Sequence, residues 1–384
     1  MSHAEMTDRP RFLLIGLGNI GRYVYPCYSS ILGERLADDL LAVKATPAGA
    51  AELRARYPFP IRADGDCLAA AAEIRPDVIL LACRPHQVQP IVEEQLRPWY
   101  DRCRAEDRPL SLLISYAPAP AVTWFREALG RGVLAANVIP NMVDYTAGIC
   151  TAAITHNMVT LDPEVSWPEP QLAFLKRYLA PQGLFLPCRV EEAIPLMCAK
   201  VVSHRLYDIC TALAEGCTAG GQALTHNQAA EAGRAYLRAR FDTFEPDIWH
   251  CSVAVLPRPL RPFTEAVLRA WYDGIIDVCF EHGLDSYVSG RFLRGMFDLH
   301  LLTVSLVDQA QLEQNTRDHT TPGGVQEHSC RAFAAGPEEE LRQAARRFAA
   351  GDPDPAFPAR WRQEAARLTE ELIAFSTDVD RHRG

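Results

Sequence analysis

Residues 11–21 read RFLLIGLGNIG. The first five, 11–15, form a short apolar run of strand length, and residues 22–32 beyond the glycines can continue as a helix. Between them stands G-x-G-x-x-G, directly after a strand and opening a helix, the context in which each glycine has a physical duty. Gly16 permits a tight turn, Gly18 lets backbone approach a pyrophosphate, and Gly21 allows helix and strand to pack closely. With Asn19 and Ile20 they form a candidate cofactor loop, whose amides would face phosphate oxygens.

The next 130 residues extend this pattern. Residues 40–43, 77–83 (DVILLAC), 111–116 (SLLISY) and 133–139 are apolar runs, as strands covered on both faces require, and helical stretches such as 48–57 and 90–104 separate them. Alternation of this kind predicts an α/β Rossmann domain with a mostly parallel, doubly wound sheet over residues 1–160. At the end of the second strand, an enzyme that uses NAD usually carries an acid for the ribose hydroxyls. Here the chain reads Lys44-Ala45-Thr46-Pro47. Lys44 and Thr46 suit a 2′-phosphate, with Arg54 or Arg56 as helpers, so the sequence predicts NADP(H) in preference to NAD(H).

Composition narrows the function classes. The chain has 384 residues and a net charge of −9, with 48% hydrophobic and 23% charged residues, ordinary for two or three globular domains. An acidic chain exerts no long-range pull on nucleic-acid phosphates, so no nucleic-acid partner is expected. No apolar run approaches a bilayer span, and the polar opening MSHAEMTDRP has no apolar signal core. A cytoplasmic protein without a membrane partner is expected. Its twelve cysteines stand singly, so they read as reduced thiols. His250–Cys251 and His328–Cys330 lack a second half at zinc-like spacing, and no metal is expected.

Several further segments resemble the pyrroline-5-carboxylate reductase family. Residues 77–85, DVILLACRP, look like its strand ending in a basic residue and proline, with Arg84 in place of the usual lysine, followed by Pro85. Residues 137–141, NVIPN, resemble R-V-M-P-N, and residues 172–192, ending GLFLPCRVEE, resemble the step into the family's helical domain. Residues 271–284 (WYDGIIDVCFEHGL) and 317–324 (RDHTTPGG) look like its G-L helix and its L-R-D-x-V-T-S-P-G-G-T-T stretch. The resemblance implies an all-α dimerisation domain after the Rossmann domain, here 161–335, forming a homodimer. It places Arg84, Pro85 and Asn141 at the cofactor, Thr321 among the catalytic residues, and Gly323, Gly324 and Gln326 at the substrate. The implied reaction is hydride transfer to a small carboxylate-bearing imine, which needs positioning more than acid–base machinery.

The departures from that family carry information too. Val325 and Gln326 stand where it has two threonines, Asn137 where it has arginine, and residues 262–267, PFTEAV, lack its G-S-G-P-A-Y turn. Proline biosynthesis itself is therefore not expected. Surplus chain falls near 195–260, as an inserted helical unit, and over 336–384, as a C-terminal extension of two helices. Val201, Leu206, Ile209, Leu213 and Cys217 form an apolar stripe in the inserted unit, and LYDIC at 206–210 is faintly echoed by WYDGI at 271–275.

The inserted unit holds a second catalytic candidate. Lys200 and His204 stand at i and i+4 on a helical pattern and resemble the K-x-x-x-N helix of ketopantoate reductases and β-hydroxyacid dehydrogenases, with His204 in place of asparagine. That resemblance implies a lysine that protonates a nascent alkoxide, and hence a ketone or β-hydroxyacid-type dehydrogenase as the alternative to imine reduction. Loss of the family threonines leaves a third alternative, a non-catalytic NADP-binding regulatory subunit.

Overall fold

The computed structural model describes residues 9–140, 156–240, 260–284, 286–320 and 322–378. These form two compact units, one closing at Ala193 and the other opening at Ile194.

The first unit is an α/β Rossmann fold, as expected. Its strands are β1 (Phe12–Ile15), β2 (Leu40–Val43), β3 (Ile61–Arg62), β4 (Val78–Leu81), β5 (Leu112–Ser115), β6 (Ala135–Ile139), β7 (His156–Leu161) and β8 (Leu184–Cys188). They make one sheet in the order β3-β2-β1-β4-β5-β6-β7-β8. All neighbours run parallel except β6 and β7. Alternate side chains enter different cores: Phe12, Leu14, Val78 and Leu80 join one cluster, and Leu13, Ile15, Ile79 and Leu81 the other. Both faces are thus covered, which is why these strands are uninterrupted apolar runs.

Two local expectations change. The helix expected over 22–32 is two short helices, Asn19–Tyr23 and Tyr25–Leu32, because Pro26 has no amide hydrogen and its ring opposes the carbonyl four residues back. The sheet also continues beyond the expected domain end at 160. β7 turns antiparallel to β6, and β8 forms the edge, where Pro187 is tolerated.

The second unit is all-helical. Its helices are Ala193–Ser203, Leu206–Ala219, His226–Arg240, Arg261–Glu281, Ser286–Leu306, Gln309–His319, Val325–Ala334, Pro337–Ala349 and Phe357–Thr377. The last two, expected as an extension, are built into its core, one through Leu341 and Ala345 and the other through Trp361, Leu368 and Leu372, all 1% exposed or less. Glycines set how closely they dock. A Cβ on Gly216 would lie 2.3 Å from the Arg342 carbonyl oxygen, and one on Gly274 would lie 2.2 Å from that of Arg362. The two helix pairs therefore share one contact geometry. Their equivalence is not in the register of the LYDIC and WYDGI echo, since Tyr207 lies nine residues before Gly216 and Tyr272 only two before Gly274.

The apolar stripe spans two helices rather than one. The first ends at Ser203, the chain turns at His204–Arg205, and Leu206, Ile209, Leu213 and Cys217 continue fully buried.

Candidate functional site

Each unit carries its own constellation. In the first, the Gly16–Gly21 loop leaves β1, which lies between β2 and β4, where the strand order reverses. Open α/β sheets bind ligands at that switch point. Gly16 has φ +95°, and a Cβ there would lie 2.6 Å from the Ala82 carbonyl oxygen. A Cβ on Gly21 would fall 2.2 Å from the Gly16 carbonyl oxygen, so its close contact is with the turn itself. Above Gly18 no atom lies within 4 Å of an added Cβ. Two glycines thus build the turn while the third leaves space over it, which fits the phosphates of a dinucleotide. Arg22 reaches back to this loop, donating to Asn19 Oδ1 at 2.5 Å and to the Gly18 carbonyl at 3.3 Å.

At the end of β2, Lys44 Nζ donates to the Thr46 carbonyl and hydroxyl, both at 3.2 Å, so the two residues form one exposed polar turn. Arg54, expected as a helper there, has a partner elsewhere. Its guanidinium is committed to the Ile61 carbonyl at 2.8 and 3.1 Å, while Arg56 lies over the Tyr57 ring. Arg84 caps the short Pro85–Pro90 helix, its amide donating to Gln87 Oε1. Asn137 is buried on β6 and donates to the Pro120 carbonyl at 2.9 Å, a structural use of the position where arginine was expected. Asn141 and Thr321 lie outside the described residues.

The second constellation gathers around His204. The His204 amide donates to the carbonyls of Lys200 and Val201 at 3.2 Å, so this residue occupies the turn that closes the Ala193–Ser203 helix. Its ring lies 5.2 Å from that of His300, 5.7 Å from His319 and 4.2 Å from Tyr207. Gln326 Nε2 meets His204 Nδ1 at 3.0 Å, and an Arg205 terminal nitrogen meets the same atom at 3.2 Å. The expected catalytic helix and the expected substrate turn therefore converge. Val325 and Gln326 open the helix Val325–Ala334, and the amide of Gly323 (φ +73°) donates to Glu327 Oε2 at 2.7 Å. An internal carboxylate thus holds an amide expected to face the substrate, and Gly324 serves as the cap residue of that helix.

Burial sets the charge states. Desolvation pushes the Lys200 ammonium down to about 7. Burial, then the proximity of Lys200, drives His300 down to about 3. His204 falls well below the ordinary imidazole value, first through burial and then through His300, Arg205, His319 and Lys200. Both imidazoles are neutral near pH 7, and Lys200 is the group poised to exchange a proton there.

Sequence reasoning missed His300, Ser203, Arg205 and Tyr207. His300 sits in DLHLLTV, where an isolated histidine in an apolar run reads as core, and only the fold brings it to His204. Among the described residues, no group of three or more His, Cys, Asp or Glu is placed to hold a metal. His328 instead meets Glu371 at 2.7 Å. Ten described cysteines are free thiols, and no described helix is long and apolar enough to cross a membrane.

No protein-family model matches this chain, and no curated protein does either. Solved structures similar to it include pyrroline-5-carboxylate reductase from Coxiella burnetii, at 15% identity and a TM-score of 0.40, covering 90% of this chain and 99% of that one. The Plasmodium falciparum pyrroline carboxylate reductase, with NADP bound, matches at 13% and 0.37 over 91% and 100%. A D-mandelate dehydrogenase with NADH matches at 10% and 0.40 over 94% and 99%. All three overlap this chain too loosely to assign it a reaction.

Proposed function

We propose that this protein is a nicotinamide-dependent oxidoreductase that reduces a small carbonyl compound with Lys200 as proton donor. The observation that supports this reading is a half-buried lysine, desolvated enough to lose its proton near neutral pH, beside two neutral imidazoles. A dinucleotide held by Gly16, Gly18, Asn19, Ile20 and Gly21 would supply the hydride, and the Lys44–Thr46 turn favours NADP(H) over NAD(H). As the carbonyl oxygen gains the electron pair, Lys200 Nζ gives it a proton. The neutral amine then regains a proton from water. An acid with a pKa near 7 both donates and recharges readily at neutral pH.

Gln326, in the first turn of the helix that follows Pro322–Gly324, touches His204, which supports a second reading: the same cluster meets the C=N bond of a small carboxylate-bearing imine. NADPH oxidation with panels of 2-oxo acids and cyclic imino acids separates the two. Turnover of an oxo acid that is lost in Lys200→Met is expected. Turnover of imines alone, unaffected by that substitution, would move the assignment to the second reading. Tight NADPH binding without turnover of either panel would make the protein a regulatory binder.

A further inference from the structure

His204 sits among donors. Gln326 Nε2 and the Arg205 guanidinium both face its Nδ1, at 3.0 and 3.2 Å, and neither nitrogen can accept a hydrogen bond. Nδ1 must therefore hold the lone pair, which puts the proton of the neutral ring on Nε2. A doubly protonated ring would press an N–H against two donors, with Arg205, Lys200, His300 and His319 all adding to the cost. Yet His204 is only 6% exposed, and its Nε2 has no hydrogen-bond partner among the described residues. Buried donors are rarely left unpaired, and each exception calls for an explanation.

His300 is the complement. The Ser203 hydroxyl spends its one proton on the Lys200 carbonyl at 2.7 Å, so its oxygen accepts from His300 Nδ1 at 3.1 Å. The lone pair of His300 is then on Nε2. Two neighbouring imidazoles are thus read as opposite tautomers, His204 from the two donors at its Nδ1 and His300 from the hydroxyl's bond to the Lys200 carbonyl.

We infer that His204 is a hydrogen-bond donor and not a base: its Nε2–H takes an oxygen acceptor of the substrate, and Gln326 and Arg205 are positioning residues that keep the proton on that nitrogen. The identity of the acceptor, the oxygen that Lys200 protonates, rests on the proposed reductase reading; the tautomer does not. A preset donor of this kind stabilises charge as it develops on that oxygen.

The test uses the full chain with 15N-labelled histidine, and long-range 1H–15N spectra recorded from pH 8 to pH 5.5. His204 is assigned by its loss in His204→Asn. The expected result is a neutral Nε2–H ring throughout, with its Hε2 signal shifting when oxamate, an unreactive 2-oxo acid isostere, is added with NADPH. Gln326→Glu places an acceptor at Nδ1 and is expected to protonate that nitrogen. In turnover, His204→Phe is expected to lower kcat/KM by about 10²–10³-fold, while His204→Asn, which keeps an N–H, loses far less. An imidazolium or Nδ1–H ring in the unsubstituted protein overturns the inference even where a variant fails to fold, and so does an Hε2 signal that ignores oxamate. The expected tautomer and shift without turnover of any oxo acid would remove the reductase reading and leave the donor standing.

Discussion

Gln326 donates from Nε2 to Nδ1 of His204 at 3.0 Å, across 122 residues of sequence. This bond joins the first turn of the Val325–Ala334 helix to the turn that closes the Ala193–Ser203 helix. Residues attributed to a substrate loop and to a proton-donating helix are thereby parts of one cluster, with Lys200 as its ionisable member near neutral pH.

Replacing Lys200 by Met is expected to lower kcat for reduction by about 10²–10⁴-fold, the usual contribution of a positioned general acid. Cofactor binding, followed by nucleotide fluorescence, should persist. In the unsubstituted protein the ammonium is the active form, so kcat should fall as pH rises through about 7. A profile flat to pH 9 would contradict the role.

The same lysine makes a stability prediction. Its folded pKa of about 7 lies below the unfolded value of about 10.4. Between them the unfolded chain holds a proton that the folded chain lacks, so this group's contribution makes folding more favourable as pH rises through that window. Lys200→Met removes the desolvated charge. Its Tm should exceed that of the parent most at pH 6, and the gap should close towards pH 10.

Two glycine substitutions should separate fold from ligand. Gly21→Ala drives a Cβ to 2.2 Å from the Gly16 carbonyl oxygen and is expected to cost about 1–3 kcal/mol of stability, seen in denaturant melts. Gly18 has φ −84° and open space beside it, so Gly18→Ala should keep the Tm. The added methyl occupies the phosphate approach, and dinucleotide affinity should drop by about tenfold or more, roughly 1.4 kcal/mol. Equal loss of stability in both variants would undo the distinction.

Lys44→Ala should raise the KM for NADPH by about tenfold and leave that for NADH unchanged, because a bond to a charged partner contributes about 1.5–3 kcal/mol. If the parent uses both cofactors equally, the Lys44–Thr46 turn is only a strand-end hydrogen-bond pair.

The glycine loop, the buried strands and the run of helices were legible because each is written in local chemistry. β1, β4 and β5 are uninterrupted apolar stretches, and three glycines at fixed spacing leave few alternatives. β7 and β8 were not legible. β8 is an edge strand carrying Pro187, and its burial is uneven, so it lacks both the apolar run and the clean alternation that mark a strand. Lys200 and His204 were visible as an i, i+4 pair, but their environment was not. Whether a lysine titrates near 7 or near 10 depends on what surrounds its ammonium.

The Rossmann architecture of the first unit, the helical character of the second and the position of the glycine loop are written in the amino-acid sequence, because periodicity and glycine spacing act over a few residues. Packing brings Gln326, Arg205 and His300 around His204, ties the Gly323 amide to Glu327, and turns Arg54 onto the Ile61 carbonyl. Those outcomes depend on desolvation and on donors and acceptors meeting within about 3 Å. Helices far apart in the chain provide that proximity only once they are packed.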